Sequence, residues 1–367
     1  MAKSDATTTA AATASAPAAK PAKRVRMRDV ADQANVSVAT VSMVLNNSGR
    51  ISPATHRRVK HAIEKTGYRP NRMAQGLSGQ YTRVLGILLP PLRHALADAY
   101  FGEIISGICD KADKLGYTVQ LEQAKPGFIK NRKHLELFER RCLDGLLAVG
   151  VSDRHHFLAD FQDRSYPLIV VNNRFEQWKL DHVVSDYRGG AEQAMNYLTQ
   201  LGHRRIGLIT AAPEVRTTRE IVNAYRDKLA ALGFRVDETW MADGRFTEEG
   251  GAEAARALMQ HHPDMTAIFA GNDKMAVGAI YALTQRGVRV PADVSIVGCD
   301  DIQPGAFITP SLTTIHTPLY EVGAVACERL IERVMGKVAA VAETLPTHLV
   351  FRDSTALPRD LAGAGKG

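Results

Sequence analysis

The chain has 367 residues, of which 45% are hydrophobic, so it can hold a small domain and one or two larger ones with ample core. It contains no run of the roughly 18 apolar residues that a membrane span requires, which argues against a membrane partner. The net charge of +7 is concentrated in residues 22–79, where eleven Lys/Arg oppose three Asp/Glu. A local charge of +8 is typical of a module that neutralises phosphates, although a solvated basic surface is the alternative.

The first 22 residues are rich in Ala, Thr, Ser and Pro, and we expect a disordered tail there. They lack the apolar centre of a secretory signal and contain too little arginine for an organellar transit peptide. The four cysteines, at 109, 142, 299 and 327, have no CxxC spacing, which favours reduced thiols and the cytoplasm. Residues 359–367 are a second, glycine-rich tail.

Three helices are predicted in residues 23–70. The first ends near Asn35, Ser37 can cap the second, and Val41, Val44 and Leu45 then share one face. The third begins at the pair 52–53, Ser-Pro, and ends at a glycine. The first turn of the second helix is small and uncharged, which suits a DNA major groove. A short segment at 71–78 and a polar linker to residue 82 follow.

From Val84 onward, apolar runs alternate with helical stretches. Continuous apolar strands separated by helices indicate a buried parallel sheet, and their number favours an α/β core of two doubly wound sheets. The runs are VLGILLP (84–90), TVQLEQ (118–123), DGLLAVG (144–150), YPLIVVNN (166–173), RRIGLITA (204–211), TAIFAGND (266–273) and VSIVGCDD (294–301).

Several of these strands end in Asn or Asp. In open parallel sheets, ligands bind beyond the carboxyl ends of the strands, so a polar ligand cleft is expected there. For each single residue, capping of the next helix is an alternative function. The residues are Asn172, Asn173, Asn272, Asp273, Asp300 and Asp301.

Nine short motifs then identify a family that the chain resembles. They are DVA (29–31), VSVATVS (36–42), VLNNSG (44–49), GYRPN (67–71), YFGEII (100–105), LGHRRIGLI (201–209), AIFAGNDKMAVGA (267–279), VPADVSIVGCDD (290–301) and PSLTTIH (310–316). Over residues 26–356, this series resembles the lactose-repressor/galactose-repressor family of bacterial transcription regulators.

The resemblance implies a helix-turn-helix domain (23–70) and a hinge helix with linker (71–82) that together bind a palindromic operator. The second helix would read bases with Val38, Ala39 and Met43. Thr40 and Ser42 would contact phosphates. Arg28, Asn46 and Arg50 would make backbone or flanking contacts, with solvated surface polarity as the alternative. In the hinge helix, Leu77 would wedge into the minor groove, Ala74 would let two helices approach, and Asn71 would begin the segment.

The resemblance also implies a core at 83–360 of two lobes, like those of a periplasmic sugar-binding protein, with a small effector between them. The first lobe would comprise 83–183 and 311–338, and the second 184–310 and 339–358. The implied effector-binding residues are Tyr100, Phe101, Asn172, Arg216, Arg219, Phe246, Asn272 and Asp300.

Two positions depart from the family pattern. Met43 stands where many relatives place Arg or His, and methionine cannot make their bidentate bond to guanine. Ile221 replaces an arginine that usually contacts the effector. Arg216 and Arg219 lie nearby and could take the place of that arginine in binding an acidic sugar. The alternative is that both are exposed on a loop.

The resemblance further implies a homodimer, because no leucine heptad follows residue 358 to support a tetramer. No cofactor is expected. An enzyme is disfavoured because GxGxxG, GxxxxGK[ST], HExxH and GxSxG are all missing from the sequence. A secreted solute-binding protein is disfavoured because a basic module is attached and no secretory signal is evident.

Overall fold

The computed structural model describes residues 25–45, 51–68, 81–91, 95–162, 166–234 and 237–359. The chain divides into two compact units, Met1–Gln80 and Tyr81–Gly367. Five residues of the predicted DNA site lie outside the described residues. They are Asn46, Arg50, Asn71, Ala74 and Leu77.

The first unit contains helices α1 (Met27–Ala34), α2 (Val38–Leu45) and α3 (Pro53–Thr66). The end of α1, the start of α2 and both ends of α3 have local causes. Asn35 ends α1 in the left-handed conformation with φ 49°, and Gly67 ends α3 with φ 65°. The Ser37 and Ser52 hydroxyls accept from the Thr40 and Thr55 amides, at 3.1 and 3.2 Å. The predicted ends of these helices are confirmed.

One valine from each helix forms the centre of this unit. Val30, Val41 and Val59 are all fully buried. Ala31, Ala34, Val44, Ala62 and Tyr68 surround them. The helices therefore hold one another through a small apolar core, as expected for a domain of this size.

The second unit contains two six-stranded sheets. The first has the order β11-β5-β4-β3-β1-β2 and the second β12-β10-β9-β8-β6-β7. The strands are β1 (Val84–Leu89), β2 (Thr118–Gln123), β3 (Gly145–Val149), β4 (Leu168–Val171), β5 (Asp181–Ser185), β6 (Ile206–Thr210), β7 (Met241–Asp243), β8 (Ala267–Ala270), β9 (Ser295–Asp300), β10 (Thr313–His316), β11 (Ala342–Leu345) and β12 (His348–Val350).

Among the strands that the structure describes, every pair is parallel except β10 with β12, which are antiparallel. Both sheets reverse strand order between their first and third strands, so loops on either side of that point diverge and leave a crevice at the carboxyl edge. The prediction of two doubly wound parallel-sheet lobes is confirmed.

Helices separate the strands of both lobes. They are α4 (Ala99–Lys114), α5 (Pro126–Lys130), α6 (Lys133–Glu139), α7 (Tyr187–Gln200), α8 (Arg216–Ala231), α9 (Glu248–His261), α10 (Asp273–Thr284), α11 (Gln303–Phe307) and α12 (Leu319–Val334). Helices α4 and α12 touch through glycines, because a Cβ on Gly107 would lie 2.0 Å from the Tyr320 carbonyl oxygen. Helix α12 thus belongs to the first lobe.

The predicted assignment of chain segments to the two lobes was wrong for two strands. We assigned 311–338 to the first lobe and 339–358 to the second. However, β10 pairs with β9 in the second sheet, and β11 pairs with β5 at the edge of the first. The chain therefore crosses between lobes after β5, after β10 and between β11 and β12. Strands of four residues or fewer carry too little pattern to reveal which edge they join.

Within the described ranges, no helix is long and apolar enough to span a membrane. In the same residues, no cluster of three or more His, Cys, Asp or Glu side chains could hold a metal ion.

Candidate functional site

Helix α2 presents an uncharged surface to solvent. Val38 and Met43 are 44% and 40% exposed, and Ala39 is exposed beside them. Because these apolar side chains are neighbours on one short helix, they form a small contiguous apolar patch, which favours a contact surface. The three predicted base-reading residues therefore lie together on one accessible side of the helix.

The predicted phosphate-contacting residues lie near that surface. The Thr40 hydroxyl is 2.9 Å from the Ser37 hydroxyl, so it already has one partner. Ser42 is half-buried and Arg28 is exposed on α1. Four further cations, Arg57, Arg58, Lys60 and Lys65, are exposed on α3. These four were not among the predicted contacts, although the charge count of this segment signalled them.

In the second unit, Asn172 is the centre of a buried hydrogen-bond network. Its amide nitrogen donates to the hydroxyls of Tyr100 at 2.9 Å and Tyr187 at 3.2 Å. Its oxygen accepts from the Ser185 amide at 2.9 Å. Asn172 itself has φ 57° and is 4% exposed. Elements α4 and β5 of the first lobe and the start of α7, which packs in the second lobe, thus converge on one side chain at the carboxyl edge of the sheet.

The same network reaches the second lobe. The Tyr187 hydroxyl, at the start of α7, donates to Asp300 Oδ1 at 3.1 Å. Burial, followed by the charge of Asp273, raises the pKa of Asp300 well above its usual range. Burial and the charge of Asp300 also raise the pKa of the Tyr100 hydroxyl. Tyr100, Asn172 and Asp300 were predicted, whereas the connecting Tyr187 was missed.

Two other strand-end residues have structural partners. Asn272 caps α10, accepting from the Met275 amide at 2.9 Å, which is the capping alternative considered for it. Asp273 is fully buried and accepts from the Thr314 hydroxyl at 2.5 Å and the Ile302 amide at 2.8 Å. Despite those bonds, burial raises the pKa of Asp273 to about 7.

Asn173 and Asp301 are likewise engaged. Asn173 donates to the Val151 carbonyl at 2.7 Å. Asp301 pairs with Arg352 at 2.5 Å and with His316 at 3.0 Å. Their contacts fix the loops around the cleft rather than leaving side chains available to a ligand.

The predicted aromatic residues lie on different sides of the cleft. Phe101 packs edge-on against Tyr100, with ring centroids 5.2 Å apart. Phe246, in the left-handed conformation with φ 58°, lines a small pocket in the second lobe. The rest of that pocket is formed by Thr210, Ala211, Thr217, Thr218, Ile221, Gly271 and Met275.

Ion pairs connect the two lobes around the cleft. Lys274 contacts Asp98 at 2.8 Å, Arg219 contacts Asp153 at 2.7 Å, and Arg154 contacts Glu214 at 2.8 Å. Arg216, considered above as exposed on a loop, is instead 9% exposed and pairs with Glu220. That exposed-loop alternative is wrong for Arg216, because the arginine opens α8 and turns toward Glu220 one turn later.

Several buried polar atoms of the cleft have no hydrogen-bond partner within the described ranges. Such atoms are rare in native interiors and indicate a missing polar partner. They are Asp153 Oδ1, Ser185 Oγ, Thr210 Oγ1, Arg216 Nη1 and Glu220 Oε2. Four of these residues were not predicted, although Ser185 and Thr210 end strands and could have been found on that ground.

Comparisons with known proteins agree with both units. Residues 26–71 match the model of bacterial regulatory proteins of the lacI family, and residues 195–355 match a periplasmic binding protein-like domain. The chain is 34% identical over 336 residues to the HTH-type transcriptional repressor CytR of Escherichia coli (strain K12), covering 90% of this chain and 97% of that protein.

Two solved structures are similar over most of the chain. The lac repressor dimer bound to operator and the anti-inducer ONPF has a TM-score of 0.80 and 26% identity, covering 91% of this chain and 100% of that one. The complex of the transcriptional regulator CelR with cellobiose has a TM-score of 0.70 and 30% identity, covering 90% and 100%.

Proposed function

This chain belongs to the LacI family of bacterial regulatory proteins, and on that premise we propose that it is a repressor binding a palindromic operator as a homodimer. It is a DNA-binding transcription regulator rather than an enzyme, as its relatives are. Operator affinity is controlled by a small polar effector between the lobes: a sugar, a sugar acid or a related metabolite.

The observation that carries the effector proposal is the hydrogen-bond network from Tyr100 through Asn172 and Tyr187 to Asp300. It joins residues of both lobes at the carboxyl edges of the sheets, so a ligand there touches both. A ligand that binds one lobe arrangement more tightly than another shifts their populations. The related regulator CelR is complexed with cellobiose, which supports a carbohydrate-like effector.

At the DNA end, Val38, Ala39 and Met43 face base edges, while Thr40, Ser42 and Arg28 contact the backbone. Exposure of the first three supports this assignment. We extend the same proposal to Asn46, Arg50, Asn71, Ala74 and Leu77 from the family resemblance. Because Met43 cannot donate to guanine, the operator differs from that of relatives with Arg or His there.

In the cleft, Phe101, Arg219, Phe246 and Asn272 complete the proposed effector-binding set with Arg216. Effector binding changes the lobe arrangement, and the lobe arrangement changes operator affinity, so the two sites share one coupling free energy. DNA binding of this kind takes place in the bacterial cytoplasm.

Fluorescence anisotropy with palindromic fragments from upstream of the chain's own gene tests this function. We expect specific binding that weakens as salt rises, because phosphate contacts release counterions. A variant lacking residues 1–79 should lose DNA binding while its core still responds to effector in a thermal shift. Failure of the full chain to bind any such fragment, with or without metabolites, contradicts the proposal.

A further inference from the structure

The first turn of α8 places a buried ion pair between the lobes, and its role rests on the effector site proposed above. The Arg216 guanidinium contacts the Glu220 carboxylate one turn later in the same helix. Arg174, which follows β4 in the first lobe, lies with Nη2 3.6 Å from Glu220 Oε1. The pair therefore belongs to the second lobe but is also touched from the first.

Each member of the pair keeps one buried atom without a partner among the described residues, Arg216 Nη1 and Glu220 Oε2. The arginine nitrogen can only donate a hydrogen bond, and an ionised carboxylate oxygen can only accept one. A hydroxyl can satisfy both at once, because it accepts and donates. An oxygen of an ionised carboxylate accepts only, so at this position it would leave Glu220 Oε2 without a donor.

The surrounding charges point the same way. Arg216, Arg219, Arg154 and Lys274 are each already paired with a carboxylate, and Arg174, which shares Glu220 with Arg216, has a half-exposed side chain whose charge is solvated. Burial raises the pKa of Glu220 even though Arg216 and Arg174 oppose this, so its negative charge is already poorly solvated. An anionic ligand would place a second negative charge beside it.

We propose that the Arg216–Glu220 pair determines effector specificity by selecting an uncharged, hydroxyl-bearing compound and rejecting its acidic form. One hydroxyl of the effector accepts from Arg216 Nη1 and donates to Glu220 Oε2. Arg216 therefore does not serve as the free cation for an acidic sugar that its sequence position alone suggests. Its charge is committed to Glu220.

Thermal shifts of the full chain with matched compounds test this. The probes are glucose and glucuronate, galactose and galacturonate, cellobiose and cellobionate, and ribose and ribonate. We expect at least one neutral member to raise Tm while its acid does not. Glu220→Gln should weaken the neutral compound at least about tenfold, since it loses a charged hydrogen bond. It should also let the acid bind, because Arg216 then has no carboxylate partner.

Two further variants separate specificity from folding. Glu220→Asp keeps the charge but shortens its reach, so it should weaken the neutral compound without admitting the acid. Glu253 lies on α9 and pairs with Arg245 at the surface. Glu253→Gln is the matched control and should change the response to neither the neutral compound nor the acid.

Several results would overturn the inference. The inference is wrong if an acid raises the Tm of the wild-type chain as much as its neutral partner does. It is also wrong if Glu220→Gln responds to the neutral compound as the wild type does, because the pair then holds only a buried water. A panel in which no neutral compound binds also rejects it. If operator binding persists in that case, only the effector assignment fails, whereas loss of operator binding contradicts the proposed function itself.

Discussion

The two units differ in where their functional residues lie. They are on the surface of the first unit and in the interior of the second. In the first, the residues assigned to DNA are on the outside, with Val38 and Met43 substantially exposed over a small valine core. In the second, Asn172 and Asp300 are almost completely buried between sheets. An exposed contact residue can change without loss of folding free energy, whereas a buried polar residue is part of what holds the structure together. Substitutions in the two units should therefore differ in kind.

The largest expected effect is the pH response of buried Asp273. Its pKa is raised by burial from 3.8 to about 7, so the folded state keeps a proton that the unfolded chain releases. Stability from this group is complete below about pH 4 and falls as pH rises toward 7. At about 1.4 kcal/mol per pKa unit, the loss approaches about 4 kcal/mol. Urea unfolding of wild type and Asp273→Asn between pH 4 and 8 measures this. As pH rises, the unfolding free energy of the wild type should fall relative to that of the variant.

Asp293 provides the control of opposite sign. Hydrogen bonds from Arg289 lower the pKa of this partly buried carboxyl to about 2. Its contribution is present above its unfolded pKa and is lost only as pH falls through about 2. Asp293→Asn should therefore give a constant difference from wild type above about pH 5. A constant difference for Asp273→Asn as well would contradict the assignment of the raised pKa.

The next effect is loss of the Asn172 side chain. Asn172→Ala removes bonds to Tyr100, Tyr187 and the Ser185 amide, leaving buried groups unpaired, and should cost about 3 kcal/mol of unfolding free energy. Effector response should vanish with it. Asn196→Ala, on the exposed side of α7, should change stability by less than about 0.5 kcal/mol. If denaturant titrations show that Asn172→Ala and Asn196→Ala lower the unfolding free energy equally, the distinction between buried and exposed positions is wrong.

The smallest effect on stability, but a clear one on specificity, is expected at Met43. Met43→Arg should leave the unfolding free energy within about 0.5 kcal/mol, because the side chain is exposed. It should favour guanine at the corresponding half-site position by about 1–3 kcal/mol. Operator selection with both proteins measures this. If the wild type and Met43→Arg select the same consensus sequence, residue 43 does not contact a base.

The helices of the first unit were predictable from sequence because their boundaries are local. Asn35, Ser37 and Gly67 act on residues within four positions of themselves. Their chemistry alone therefore marks where each helix begins or ends.

The cleft was only partly predictable because its bonds join distant positions. The polar strand ends pointed to Asn172 and Asp300, yet the Tyr187 hydroxyl that connects them lies 113 residues from Asp300. Capping and ligand binding also use the same residue types, so Asn272 could not be assigned from sequence. The burial of Arg216 depends on α8 beginning at that residue, which no local signal indicates.

The three crossings between lobes bear on how the chain is synthesised. Strand β11 and helix α12, both in the first lobe, come from residues 319–345, after almost all of the second lobe. A ribosome therefore releases the edge strand and a packing helix of the first lobe last, so that lobe cannot finish folding ahead of its neighbour. The usual order, in which the amino-terminal domain folds first, does not hold for this pair. Premature termination near residue 310 would leave both halves incomplete and exposed to proteases.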